Sequence, residues 1–161
     1  MNNYKIVFMG TPDFGIPSLN ELYKQGYEVE AVYTQPDRVN KRGNKVQFSA
    51  VKQFALEHDI TIYQPNSLKD EKELDVLRAL NPDLIIVIAY GKILPQAVLD
   101  IPKYGVINVH ASLLPKYRGA APVQRSIIDG EETTGVTIMQ LDAGMDTGNI
   151  IAEKAYPLLR I

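Results

Sequence analysis

The chain has 161 residues, 45% of them hydrophobic, with 17 basic and 19 acidic side chains and a net charge of −2. This length predicts one domain, and the composition excludes a chain that is disordered throughout. The absence of cysteine excludes disulfides, thiolate nucleophiles and cysteine-ligated metals, and the 2 histidines argue against a multi-histidine metal site. No apolar run approaches the length of a membrane span and the N-terminus lacks a signal-peptide pattern, so we expect a cytoplasmic location. We also expect the chain to be a monomer.

Short β-branched segments alternate along the chain with segments of helical periodicity. Strands are predicted at 5–9, 28–34, 61–63, 84–89, 105–109, 136–141 and 150–156, and helices at 17–23, 48–58, 70–80, 96–99 and 123–128, with a polar loop over 35–47. This alternation predicts an α/β fold with a Rossmann-like, open, mostly parallel sheet and helices on both faces. Ligands of such sheets bind beyond the carboxyl ends of the strands, so the loops after those ends are the places to search for chemistry.

The loop after the first predicted strand, residues 10–15, is the first candidate for a nucleotide motif. A dinucleotide fingerprint needs a glycine where this chain has Pro12, and the second strand ends in Thr34 and Gln35 rather than in the acid that binds a ribose. A P-loop would need a lysine where the chain has Ile16. The glycines of this loop are therefore interpreted as a tight turn from strand to helix.

Two polar residues near the end of a later strand are more informative. Asn108 and His110 lie two residues apart, and because side chains alternate along a strand we expect both on the same side. An amide and an imidazole that converge on one atom can stabilise an oxyanion that develops on a carbonyl. The alternative is a histidine bonded to a backbone carbonyl beside a turn-forming asparagine, and spacing alone leaves both open.

Two carboxylates, Asp142 and Asp146, follow the next predicted strand and can reach the same edge of the sheet. A carboxylate beside His110 would raise the pKa of the imidazole and keep it protonated. Both aspartates also lie near glycines, where Asp is typical of turns, and that interpretation stays open. No serine or lysine lies in an activated-nucleophile motif, which favours direct acyl transfer over a covalent intermediate.

The segment NVHASLLP at 108–115, followed by YRG at 117–119, is similar to the signature of the folate-dependent formyltransferases. Within that family the chain most closely resembles the members that formylate methionyl-tRNA, and the matching blocks extend over nearly its whole length. Those further blocks are GTPDF at 10–14, TQPDR at 34–38, RG at 42–43, VIAYG at 87–91, ILP at 93–95, GAAP at 119–122 and GVTIM at 135–139.

The resemblance implies that an amine attacks the formyl carbon of 10-formyltetrahydrofolate, with no metal. It implies that Asn108 and protonated His110 stabilise the tetrahedral oxyanion, and that Asp146 keeps His110 charged or helps to move the amine proton. In the implied folate pocket, backbone groups would bond the pterin and Ile93 and Leu94 would form an apolar wall, although these two residues alone are also typical of ordinary core. The pocket residues are Ile88, Ala89, Tyr90, Gly91, Ile93, Leu94, Pro95, Ser112, Leu113, Leu114, Pro115 and Asp142.

The loop at 37–45 is locally basic in an acidic chain. The loop contains four basic residues and the single acid Asp37, which gives a local charge of +3. The basic residues are Arg38, Lys41, Arg42 and Lys45. Such a run is commonly a solvated surface loop. The resemblance implies instead that it engages the acceptor end of initiator methionyl-tRNA, with Arg42 the leading candidate, and the expected contacts are to phosphates, which add affinity but little sequence information.

Two other functions remain open from the sequence. The acceptor could be a sugar nucleotide or glycinamide ribonucleotide, or the chain could bind folate without catalysis. In the family that the chain resembles, the catalytic domain extends further and is followed by a C-terminal β-barrel that helps to bind tRNA. We therefore expect residues 1–161 to form a single catalytic domain that is incomplete at its C-terminus and lacks the β-barrel.

Overall fold

The computed structural model describes residues 3–40, 42–119, 122–142 and 148–158. The chain divides into two compact units, with the boundary between Val106 and Ile107.

The first unit contains a parallel sheet of the predicted α/β type. Its strands lie in the order β5-β2-β1-β6, and every neighbouring pair is parallel. The apolar run of the first strand is buried from Ile6 to Gly10, which places it inside the unit and confirms the prediction of a buried strand. The strands of this sheet are β1 (Lys5–Gly10), β2 (Glu28–Tyr33), β5 (Thr61–Tyr63) and β6 (Leu84–Ile88).

The helices of the first unit begin where their capping residues predict. Ser49 accepts a hydrogen bond from the amide of Lys52, and Asp70 accepts one from the amide of Lys72, so that each side chain satisfies an amide of a first helical turn. Pro17 lies in the first turn of its helix, where its missing amide costs no hydrogen bond. The helices are α1 (Ile16–Lys24), α2 (Ala50–Glu57), α3 (Glu71–Leu80) and α4 (Gln96–Leu99).

A short hairpin replaces part of the predicted polar loop. Strand β3 (Arg38–Val39) pairs antiparallel with β4 (Val46–Gln47), and the amide of Asn40 donates to the carbonyl of Lys45 at 2.9 Å. In the turn between the strands, Gly43 and Asn44 have positive φ values of 94° and 52°, a conformation that glycine and asparagine adopt more readily than other residues. We call residues 38–47 the basic hairpin.

The second unit is built on antiparallel strands. Strand β8 (Thr133–Gln140) pairs with β7 (Val106–His110) and with β9 (Ile150–Pro157). Along β8, burial alternates, with Gly135, Thr137 and Met139 buried, as expected when one face of a strand is covered. Every residue of β9 is exposed. The helix of this unit is α5 (Pro122–Ile128).

Candidate active site

In the first unit, the carboxyl ends of three parallel strands converge. The Thr11 hydroxyl, just after β1, donates to the Tyr90 carbonyl after β6 at 3.0 Å and accepts the amide of Gln35 after β2 at 3.3 Å. The Gln35 side-chain amide donates to the carbonyls of Tyr90 and Gly91 at 3.2 and 2.9 Å. These bonds fix the start of the predicted folate loop to the edge where parallel sheets place their ligands.

The predicted folate residues 88–95 divide into buried and exposed side chains. Ile88 and Tyr90 are each 1% exposed, so their side chains belong to the core and only their backbone could meet a ligand. Ile93 is 76% exposed, which excludes the ordinary-core interpretation for this residue. Burial raises the pKa of the Tyr90 hydroxyl, which has no hydrogen-bond partner among the described residues. An exposed isoleucine beside a fixed backbone is compatible with an apolar wall of a pocket.

The basic hairpin carries its charges into solvent. Arg38, Arg42 and Lys45 are all exposed, whereas Lys41 lies outside the described residues. Two apolar residues of the hairpin, Val39 and Val46, are 62% and 56% exposed. The exposed valines and cations are compatible with either a solvated hairpin or a surface that meets a polyanion.

The base of the hairpin is tied to α2 by residues that sequence reasoning did not single out. The Lys52 ammonium donates to Asp37 at 2.7 Å and to the Gln64 side-chain oxygen at 3.0 Å. Gln64 in turn donates to the other carboxylate oxygen of Asp37 at 2.7 Å. The bonds from Lys52 and Gln64 lower the pKa of the Asp37 carboxyl. Lys52 and Gln64 lie well apart from Asp37 along the chain, so local spacing carried no signal for this cluster.

In the second unit, the structure places Asn108 and His110 on β7, as predicted. In the pairing with β8, Asn108 lies opposite Met139 and His110 opposite Thr137. His110 is 7% exposed, and its Nε2 lies 2.7 Å from the Tyr117 carbonyl oxygen. Because a carbonyl can only accept, Nε2 carries the proton in this bond, which fixes the orientation of the ring. The bonded histidine of the alternative interpretation is therefore observed, and it is also the arrangement that an oriented catalytic imidazole requires.

We call the segment after β7, residues 111–119, the His110 loop. Hydrogen bonds from Thr137 fix the first half of this loop. The buried Thr137 hydroxyl donates to the Ser112 carbonyl at 2.6 Å and accepts the Leu114 amide at 3.1 Å. The Ser112 hydroxyl donates to the Lys116 carbonyl at 2.6 Å. A side chain at Gly135 would collide with Leu113, so the absence of a Cβ there lets the loop lie against β8. His110, Ser112 and Leu114 are thus connected through one position of β8.

The second half of the His110 loop is held by charged side chains. Tyr117 has a φ of 57°, and its hydroxyl lies 2.9 Å from Asp129 and 3.1 Å from Glu131. Lys116 donates to Glu131 at 3.0 Å. Desolvation, with the bonds to the two carboxylates, raises the pKa of Tyr117 to about 12, and the bonds from Lys116 and Tyr117 lower that of Glu131. The tyrosine whose carbonyl orients His110 is therefore anchored at its other end.

The remaining predicted residues differ in what the structure describes. Asp142 follows β8 with an exposed side chain, and Leu113, Leu114 and Pro115 lie in the His110 loop. Asp146 lies outside the described residues, so its predicted role beside His110 stays a prediction. Within the described ranges, no group of three His, Cys, Asp or Glu residues could hold a metal ion. No helix in the same ranges is long and apolar enough to cross a membrane.

Comparison with known proteins adds the family. Residues 4–160 match the model of the family described as formyl transferase. The chain is 52% identical over 158 residues to a methionyl-tRNA formyltransferase of Legionella pneumophila, covering 98% of this chain and 50% of the relative. It is 60% identical over 148 residues to one of Clostridium perfringens, covering 91% of this chain and 48% of the relative. The chain thus spans about half the length of the curated relatives it matches.

Similarity in structure is consistent with this assignment at the level of the fold. A solved phosphoribosylglycinamide formyltransferase of Streptococcus pneumoniae has a TM-score of 0.75 at 22% identity, covering 98% of this chain and 84% of that chain. One of Anaplasma phagocytophilum has a TM-score of 0.78 at 21% identity, covering 99% and 74%. At such low identity the likeness bears on the fold alone.

Proposed function

We propose that this chain, which belongs to the formyl transferase family, transfers a formyl group from 10-formyltetrahydrofolate to the amino group of initiator methionyl-tRNA. The observation that carries the proposal is the identity of 52–60% to proteins named methionyl-tRNA formyltransferase over 91–98% of this chain. The proposed acceptor, an aminoacylated tRNA, implies a cytoplasmic location, and we expect the chain to act as a monomer.

The proposed reaction is direct acyl transfer. The methionyl amine attacks the formyl carbon, a C–N bond forms, and the carbonyl oxygen takes the negative charge. The intermediate then breaks the bond from the formyl carbon to N10 of the folate, and the proton lost by the amine ends on that nitrogen. Asn108 and protonated His110 donate to the oxyanion, and Asp146 keeps the imidazole charged or passes the proton. The bond from His110 to the Tyr117 carbonyl supports this role because it holds the ring in one orientation before substrate arrives.

The donor site is proposed on the predicted folate residues. The exposed Ile93 would pack against the folate, and backbone groups of the loop at 89–95 would hydrogen-bond the pterin. Ser112, Leu113, Leu114, Pro115 and Asp142 are proposed as folate residues on the family resemblance alone. The fixed backbone of Tyr90 and Gly91 supports this assignment because a rigid loop binds a planar ring with little loss of conformational entropy.

The acceptor site is proposed on the basic hairpin. Arg38, Arg42 and Lys45 are exposed on it, and Lys41 belongs to the same run of sequence. Contacts from these side chains to tRNA phosphates would add affinity that falls steeply as salt rises.

The test is an assay of formyl transfer from 10-formyltetrahydrofolate at low salt, with methionyl-tRNA, glycinamide ribonucleotide and a sugar nucleotide offered as separate acceptors. We expect formylation of methionyl-tRNA, and a loss of about 10²–10³ in kcat for Asn108→Ala, the loss typical of one oxyanion donor. Preference for another acceptor would refute the proposed substrate, and an Asn108→Ala variant with unchanged kcat would refute the mechanism.

A further inference from the structure

One ammonium group contacts both ends of the basic hairpin. Asp37 immediately precedes β3, and Phe48 immediately follows β4. The Lys52 ammonium lies 2.7 Å from an Asp37 carboxylate oxygen and 3.9 Å from the centre of the Phe48 ring. A cation over an aromatic face is attracted to it, so Lys52 binds the strand that enters the hairpin and the segment that leaves it.

Lys52 is itself held firmly in place. Its backbone amide is capped by the Ser49 hydroxyl at 3.0 Å, and that hydroxyl lies 2.6 Å from the hydroxyl of Thr34 at the end of β2. Its ammonium also donates to Gln64, whose amide nitrogen donates to Asp37 and to the Gln35 carbonyl. Lys52 therefore connects the hairpin to residues at the ends of the parallel sheet.

The hairpin has little of its own to fix its orientation. Residues 38–40 and 42–47 are all exposed, and each strand is only two residues long. A two-stranded hairpin of this size is at best marginally stable in isolation. The contacts at the base of the hairpin therefore largely determine its orientation. The side chains of Lys52 and Asp37 are 13% and 28% exposed, so water and salt screen this pair less than an ordinary surface pair.

We propose that Lys52 is a positioning residue that holds the basic hairpin in the orientation in which its cations meet the phosphates of the acceptor. This inference rests on the proposed function for the nature of the acceptor. Lys52 does not contact the acceptor, because its side chain is 13% exposed and its ammonium is occupied by Asp37, Gln64 and Phe48. It acts through the side chains of the hairpin.

The first part of the test needs no substrate. Amide hydrogen exchange is measured on the chain, on Lys52→Met, and on Lys24→Met as a control that removes the charge of an exposed lysine elsewhere. We expect the Asn40 amide, which is bonded across the hairpin, to exchange at least about tenfold faster in Lys52→Met, while amides of β1 keep their protection. Unchanged exchange in the hairpin would overturn the proposal whatever the acceptor.

The second part measures the affinity for initiator methionyl-tRNA as a function of salt. The measured quantity is the slope of log affinity against log salt concentration, and removal of a lysine that bound one phosphate would reduce its magnitude by about 1. Removal of a positioning lysine disturbs several contacts at once, so we expect the magnitude to fall by about 2 or more. We also expect a rise of at least about tenfold in the KM for the tRNA. The KM for the folate donor should stay within about twofold, because a residue that acts through the hairpin alone leaves donor binding unchanged. A magnitude of the salt slope reduced by only about 1 or less, or an equal rise in the KM values for the tRNA and the folate donor, would overturn the positioning role.

Two further variants keep the test decisive. Lys52→Arg retains the charge and should restore most of the tRNA affinity, whereas Asp37→Asn keeps the shape but loses the pairing charge and should behave like Lys52→Met. If Lys52→Met fails to fold, Asp37→Asn carries both measurements. If the wild-type chain prefers another acceptor, the proposed function fails while the exchange measurement still decides whether Lys52 fixes the hairpin.

Discussion

The two segments proposed to meet the substrates are anchored in different ways. The base of the basic hairpin is closed by Lys52 and Asp37 at 2.7 Å, with side chains 13% and 28% exposed. The end of the His110 loop has a similar pair, Lys116 and Glu131, at 3.0 Å, but with Lys116 63% exposed. The His110 loop has in addition the buried hydroxyl of Thr137, which bonds two of its backbone groups.

The difference shows what each segment depends on. The hairpin has no buried residue between 38 and 47 among those described, so it is attached through contacts at its base, among them the charge pair of Lys52 and Asp37. The His110 loop is fixed by neutral hydrogen bonds in the interior, and its charged pair is an addition at the surface. A buried polar group without its partner costs more free energy than an exposed ion pair contributes. Removing one hydroxyl should therefore disturb the loop more than removing either charge of Lys116 and Glu131.

The largest effect is expected for Thr137→Val. This change leaves the Ser112 carbonyl without its donor and the Leu114 amide without its acceptor, and we expect a loss of about 2–4 kcal/mol in the free energy of unfolding. Denaturant unfolding measures it. The control is Thr134→Val on the same strand, where the only described side-chain bond is 3.5 Å long, and its loss should stay below about 1 kcal/mol. Equal losses in the two variants would mean that the loop is not held through Thr137.

An intermediate effect on the Tm is expected when either of two carboxylates, Asp37 or Glu131, is replaced, and this effect depends on pH. The pKa values of Asp37 and Glu131 are both lowered in the folded chain, so each contributes stability above its unfolded pKa that is lost as pH falls through its folded pKa. Asp37→Asn and Glu131→Gln should therefore lower the Tm at neutral pH and converge with the wild-type chain at the acid end. We expect the larger shift for Asp37→Asn, because its partner lysine is more shielded.

The effect of salt on the Tm should distinguish Asp37→Asn from Glu131→Gln. At 1 M salt the Debye length is about 3 Å, so the exposed pair is screened more than the shielded one. The effect of Glu131→Gln on the Tm should nearly vanish there, and that of Asp37→Asn should persist. Equal salt sensitivity of the two variants would remove the distinction between the two anchors.

The smallest effect is expected for Lys116→Met. Its partner Glu131 keeps the hydroxyl of Tyr117, and the lysine side chain is 63% exposed. The Tm should therefore fall by less than in Glu131→Gln, and the kcat for formyl transfer should stay within the error of measurement. Thermal unfolding and a steady-state assay check this. A drop in kcat above tenfold would mean that the His110 loop depends on its charge as the hairpin does.

The sequence predicted the regular elements of the fold well because their signals are local. The buried run of β6, the first turn of α1 at Pro17 and the cap of α3 at Asp70 are each readable from a few neighbouring residues. The basic hairpin was missed because strands of two residues that are exposed on both faces have no alternating pattern. The turn at Gly43 and Asn44 was its one local signal.

The site was predictable in part for the same reason. The pairing of Asn108 with His110 could be predicted from the alternation of side chains along a strand. The contacts of Thr137, Tyr117 and Lys52 join residues distant in the sequence, so local spacing could not predict them. Spacing also could not tell that Ile93 lies at the surface, since isoleucine is among the residues most often buried. Asp146 and Lys41 lie outside the described residues and stay predictions.

The bonds at the Tyr90 carbonyl decide which kind of atom a ligand can present to this loop. That oxygen accepts from the Thr11 hydroxyl and from the Gln35 amide, which occupies both of its lone pairs. A donor group on a ligand therefore finds no acceptor at this atom. Recognition of the pterin would have to use other carbonyls of the loop for its amino groups, and backbone amides for its ring nitrogens. An analogue that exchanges a single ring nitrogen for C–H should report which of those amides faces the ring.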